Sequence, residues 1–85
     1  MAKAAAIVLI QTEIGAESRV MEKLYEIPEV TEVYIVYGIY DVVAKVEAES
    51  LERIREVITS KIRKFPEIRT TSTMVVVEGR LKKQE

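Results

Sequence analysis

The 85-residue sequence has no cysteine, histidine, tryptophan or asparagine, and a single aspartate, Asp41. Without cysteine there is neither a disulfide framework nor a thiolate metal site. Without histidine as well, the usual zinc, copper and haem ligands are missing together, and no His-based nucleophilic triad can be assembled. Three isolated glycines, Gly15, Gly38 and Gly79, exclude a glycine-rich phosphate cradle. Neither sign of charge dominates: 13 Lys and Arg face 14 Asp and Glu, a net charge of −1. That balance gives no general pull toward nucleic acid or an anionic membrane. The longest apolar run, Ala4–Ile10, falls far short of the ~20 residues that span a bilayer. It is also short for a signal core, and polar Gln11-Thr12-Glu13 follows it with no small-residue cleavage site. A buried strand in a cytoplasmic protein is the expectation. The lack of Asn and Cys beside abundant Glu, Lys and Arg leans toward a thermophilic source.

What is present fits one small domain, 48% hydrophobic and 32% charged. A chain of this size buries only about 60–65% of its unfolded surface, so association would widen a thin stability margin. Ala4–Thr12 is a run of small and β-branched residues without helical period, hence strand one. Val20, Leu24 and Ile27 recur at helical spacing over Glu17–Ile27, and Pro28 ends that helix. Val30–Tyr37 and Asp41–Ala48 read as strands two and three, joined in a hairpin by Gly38-Ile39-Tyr40. Ser50 is a good N-cap for a second helix carrying Leu51, Ile54, Ile58 and Ile62 to Arg63, stopped by Pro66. Ile68–Val77 is strand four, and the charged tail is expected to fray.

A shift of 38 residues lays Val20, Leu24, Ile27, Pro28, Glu29 and Val30 on Ile58, Ile62, Phe65, Pro66, Glu67 and Ile68. Two β-α-β halves of this kind describe an α+β, ferredoxin-like βαββαβ sandwich. The four-stranded antiparallel sheet then has both helices on one face and strands one and three in its centre. Strands one and three lack the polar alternation of a half-exposed sheet, so apolar side chains are expected on the helix-free face too. Leaving them in water would forfeit roughly 1.5–3 kcal/mol each. A second copy covering that face is the expected remedy, giving a homodimer or a larger ring built from dimers.

Few constellations carry chemistry. The glutamates fall on polar helix faces or beside the Pro joints and read as solvated surface. The exposed aromatic platform of an RNA-binding sheet is missing from the central strands. Two segments stand out. In Tyr37-Gly38-Ile39-Tyr40-Asp41, backbone N–H groups and one carboxylate can grip a small zwitterion, although a plain hairpin turn explains the same residues. Thr70-Thr71-Ser72-Thr73 is the second polar cluster, for which ordinary edge-strand hydroxyls are the simpler reading, since Thr is a normal strand residue.

The order Ile-Pro-Glu-Val-x-x-Val-Tyr-x-Val-x-Gly-x-Tyr-Asp (27–41), then Val-Val-Ala-Lys-Val, Ser-Leu-Glu and Phe-Pro-Glu-Ile-Arg-Thr-Thr-x-Thr-x-Val-Val-Val-Glu (65–78), resembles the effector domain of the Lrp/AsnC, or feast/famine, regulators. That domain is called RAM, for regulation of amino-acid metabolism. The resemblance covers essentially the whole chain, and the domain is expected to span 1–78, with 79–85 as a charged tail. DNA-binding members carry an N-terminal helix-turn-helix, whereas strand one here begins almost at Met1, which resembles a stand-alone RAM domain without direct operator binding.

The resemblance implies sheet-mediated dimers, commonly closed into a ring such as an octamer, with amino acids bound at contacts between dimers. Its ligand loop maps to Gly38, Ile39, Tyr40 and Asp41, with Thr71 and Thr73 as partners and Tyr37 as a further candidate. Gly38 would let the backbone approach the ligand, Ile39 would shape the side-chain pocket, and Asp41 would pair an ammonium or fix the loop. No enzyme activity, metal or cofactor is expected, and full-length Lrp/AsnC regulators are the expected protein partners. A cofactor-free ferredoxin-like oxygenase or isomerase, and an ACT-like regulatory subunit, are the competing readings. The first would need a polar internal cavity, the second a different ligand loop.

Overall fold

The computed structural model describes residues 3–82. Its elements run β1 (Ala4–Thr12), α1 (Glu17–Tyr25), β2 (Val30–Ile35), β3 (Val42–Ala48), α2 (Leu51–Val57), a π-helical segment (Ile58–Ile62) and β4 (Ile68–Val75). The strands form one antiparallel sheet in the order β2-β3-β1-β4, which makes this a βαββαβ ferredoxin-like fold. The expected tail carries no helix or strand from residue 79 to 82, and its last three residues lie outside the described range.

Period-two alternation builds the core. Ala6, Val8, Ile10 and Thr12 of β1 pack beside Val42, Ala44, Val46 and Ala48 of β3, all buried on the helix side. Val20 and Leu24 of α1, and Ile54 and Val57 of α2, close over them. Thr12 is the single buried polar residue described. It donates its hydroxyl to the Glu13 carbonyl at 2.9 Å, so burial leaves no donor unpaired. Gly15 turns the chain from β1 into α1 at φ +81°, a left-handed conformation that a side chain would strain.

The second helix differs from the single α-helix expected to Arg63. Residues spaced by four overshoot a 3.6-residue turn, so Ile54, Ile58 and Ile62 would drift around an α-helix. Here the Arg63 N–H reaches the Ile58 carbonyl at 2.8 Å, an i→i+5 bond that winds less per residue and keeps Ile58 and Ile62 on the core. Leu51, expected on the buried face, is 48% exposed at the helix start. The edge strands are shorter than expected: β2 stops at Ile35 and β4 at Val75. Past Ile35, Val36 still donates to the Asp41 carbonyl at 2.9 Å but is exposed, and beyond β4 Val77 is almost fully exposed.

The glutamates at the two Pro joints are not the solvated surface expected. Only 17% of the Glu29 side chain and 15% of the Glu67 side chain meet solvent. Arg53 holds Glu29 at 2.7 Å with Lys61 at 3.7 Å, and Lys23 holds Glu67 at 2.9 Å with Arg19 at 3.8 Å. Lys23 and Lys61 are equivalent under the 38-residue repeat, so each half clamps the other half's joint. The Arg53 hydrogen bond lowers the Glu29 pKa, and the Lys23 hydrogen bond lowers that of Glu67.

The helix-free face carries Ile7 and Leu9 of β1, Val43 of β3, Met74 of β4 and Tyr34 of β2, brought side by side by the pairing register. Polar groups both interrupt and flank this apolar centre, with Lys45 opposite Ile7 and Ser72 opposite Leu9. The Lys45–Glu47 pair lies toward one end of the strands, and the Gln11–Thr70 hydrogen bond toward the other. The apolar stripe is therefore narrower than the unbroken sequence runs imply.

Candidate functional site

The hairpin connection and the end of β1 form one hydrogen-bonded unit. Asp41 donates its N–H to the Ile10 carbonyl at 2.9 Å, and its Oδ2 accepts the Thr12 N–H at 2.9 Å. Gln11 donates through Nε2 to the Ile39 carbonyl at 3.0 Å, while its Oε1 accepts the Thr70 hydroxyl at 2.7 Å. Val36 and Asp41 close the loop by a backbone bond of 2.9 Å. The loop backbone is thus fixed on β1 at three points, while its tip stays open. Tyr37 is fully exposed, Ile39 is 80% exposed, and no protein atom stands within 4 Å of where a Gly38 Cβ would be. Tyr40 and Asp41 are half-buried.

Beside the loop lies a cavity of about 560 Å³ lined by Glu17, Ser18, Ile35, Val36, Tyr37, Gly38 and Asp41. Its floor includes the first turn of α1. Ala16 at the N-cap offers no side-chain acceptor, so first-turn N–H groups keep their hydrogen-bonding capacity and the positive end of the helix dipole faces the cavity. Two carboxylate residues, Glu17 and Asp41, and a set of backbone donors therefore share a small open space.

Thr71 and Thr73 lie elsewhere. Opposite Ile10 and Val8, they project from β4 toward the helices and line a second cavity of about 480 Å³ with Ile58, Arg63, Ile68, Arg69 and Thr70. The two cavities share no residue, and β1 separates β4 from the hairpin, two strand spacings or roughly 10 Å. Within one subunit the sequence-derived site residues form two groups: Gly38, Ile39, Tyr40 and Asp41 in one, Thr71 and Thr73 in the other. Sequence reasoning missed Gln11, which ties the loop to Thr70. Its signal was the lone amide side chain in an apolar strand. It also missed Arg63 and Arg69, which a strand-and-helix reading leaves as surface charge.

Among the described residues no cluster of carboxylates forms a metal site, and no helix is long and apolar enough to cross a membrane.

A profile described as the Lrp/AsnC ligand binding domain matches residues 5–84. The chain belongs to the Lrp/AsnC ligand-binding family. Solved structures agree with that assignment. FFRP-DM1 is 50% identical at TM-score 0.84, with 87% of this chain and 99% of that one covered. A hypothetical protein from Pyrococcus horikoshii is 49% identical at TM-score 0.84, with 89% of this chain and 92% of that one covered. E. coli AsnC is 25% identical at TM-score 0.88 over 96% of this chain, which spans 56% of AsnC. A comparison with curated proteins found no match. The Lrp/AsnC domain is an effector-sensing module of regulators, and the hairpin loop and β4 lie within the matched span.

Proposed function

We propose that this Lrp/AsnC domain is an amino-acid-sensing subunit that works as an oligomer, reads no DNA itself and modulates full-length regulators of its family. The observation that carries the reading is the loop of Gly38, Ile39, Tyr40 and Asp41. It is anchored on β1, yet opens beside a helix N-terminus with one of the two Asp41 carboxylate oxygens, Oδ2, engaged by a described residue. An amino-acid carboxylate suits the free N–H groups of the α1 first turn and the loop, and its ammonium suits Asp41. Because Thr71 and Thr73 lie across β1, a ligand that also meets those hydroxyls bridges two copies. That supports binding at contacts between subunits.

The apolar stripe of Ile7, Leu9, Val43, Met74 and Tyr34 supports a dimer through the sheet and, from dimers, a ring such as an octamer. The domain spans 1–78, with 79–85 as its charged tail. The apolar core, broken only by a satisfied Thr12 among the described residues, supports a non-enzymatic role over a cofactor-free oxygenase. The reciprocal ion pairs at the Pro joints support a thermophilic source, and the function belongs in the cytoplasm.

Isothermal calorimetry across the common amino acids tests the reading. At least one is expected to bind wild-type protein and to lose its heat on Asp41→Ala. Binding by none, or binding untouched in the variant, overturns the site.

A further inference from the structure

The repeat that relates the two halves of the chain also relates two grooves of opposite charge. Each helix leaves a groove against the edge strand that follows it. The α1/β2 groove, about 530 Å³, is lined by Met21, Glu22, Tyr25, Glu26 and Glu32 among others. The groove between the π-helical segment and β4, about 480 Å³, holds Arg63 and Arg69 beside Thr71 and Thr73, and Arg55 lines its continuation along α2. Both edge strands carry a bulge at the same repeat position, Thr31 in β2 and Arg69 in β4. The bulge lets Ile68 turn to the core while Arg69 keeps the face of Thr71 and Thr73.

At these equivalent places the chemistry is reversed. Every charged residue lining the first groove is a glutamate, and every one lining the second groove and its continuation is an arginine. None of these glutamates or arginines makes a salt bridge to another described residue, whereas the charges at the Pro joints are paired within the chain. Tyr25, 81% exposed at the acidic groove, offers a ring on which a guanidinium can stack.

We propose that the acidic α1/β2 groove of one copy docks the arginine groove beside β4 of another. A second copy is favoured over a small anion or a basic peptide because one chain carries both halves of the match. The two halves of the match stand on opposite edges of the sheet, β2 and β4, so one copy can offer each to a different neighbour. Such a contact is heterologous: it closes into a ring where the rotation allows and leaves the helix-free face for a separate contact. The proposal rests on the reading of this domain as a self-associating protein and adds the surfaces and the salt dependence.

Sedimentation velocity and native mass spectrometry on the full chain test it. Wild-type protein is expected to lose mass in a discrete step as salt rises, because exposed charge pairs are screened. Arg63→Glu with Arg69→Glu, and separately Glu22→Lys with Glu26→Lys, are each expected to abolish that step at low salt while circular dichroism shows native helix. Mixing the two variants is expected to restore it, since the first presents acidic grooves at both edges and the second basic ones. A wild-type dimer indifferent to salt overturns this proposal alone. A monomer at every salt concentration overturns self-association with it. Folded variants that keep the wild-type mass, or a mixture that fails to reassemble, also overturn the docking. So does inorganic phosphate binding lost in the arginine variant while its assembly persists, which reassigns the arginines to an anionic ligand.

Discussion

Asp41 holds the fold at the hairpin, and the proposed reading gives the same side chain a ligand. Its Oδ2 takes the Thr12 N–H at the point where β1 leaves the sheet, so an uncharged replacement still able to accept a hydrogen bond should keep the loop. Removing the acceptor from a partly buried donor costs about 1.5 kcal/mol. Asp41→Ala is therefore expected to lower stability by about that amount in denaturant melts, and Asp41→Asn by about a third as much. Both should lose affinity for a zwitterion in calorimetry, because both lose the charge that pairs an ammonium. If Asp41→Asn binds as tightly as wild type, the carboxylate only shapes the loop. Asp41 was legible in the sequence because it is the sole aspartate and follows a Gly-x-Tyr turn. Gln11 showed only as a lone amide in an apolar strand; its role was not legible, since it depends on β4 and the hairpin flanking β1, and strand order is set by tertiary packing.

At the scale of elements, the two Pro joints behave as a matched pair of clamps. Hydrogen bonds from Arg53 and Lys23 hold Glu29 and Glu67 below their ordinary value of 4.5. A carboxyl whose folded pKa is depressed binds protons more readily once unfolded, so the stability it supplies is complete above about pH 4.5. That contribution disappears as pH falls through the lower folded values. Thermal melts are expected to show this acid loss, and Glu29→Gln with Glu67→Gln is expected to flatten the profile there. A double variant as acid-sensitive as wild type would place the titration elsewhere. Ser50 supplies a smaller check, since its hydroxyl accepts the Arg53 N–H at 3.1 Å. Ser50→Ala is expected to cost about 1 kcal/mol in denaturant melts. Helix and strand identities were readable because hydrophobic period is local. The paired bulges, the π-helical turn and the exposure of Leu51 were not. Each is a local compromise that lets side chains meet a core whose shape no single segment specifies.

For the whole molecule the decisive surface is the helix-free face of the sheet. Ile7, Leu9 and Val43 are partly buried there, and Met74 and Tyr34 are about half exposed. Covering such a side chain completely is worth about 1 kcal/mol, half of full burial, and association must first offset at least ~4 kcal/mol of lost motion. Five such side chains little more than cancel that cost, so the proposed dimer needs polar and edge contacts besides this stripe. Contacts at the sheet edges are what would hold a larger assembly together. Leu9 sits at the middle of the stripe, on a central strand, where a charge would be desolvated by the opposing sheet. Leu9→Lys is expected to abolish the dimer in sedimentation equilibrium. It should leave the helix-side core, and hence the far-ultraviolet circular dichroism spectrum, unchanged, because Val8 and Ile10 face the other way. A Leu9→Lys protein that still sediments as wild type would mean that copies meet through another surface and that the apolar stripe stays in water.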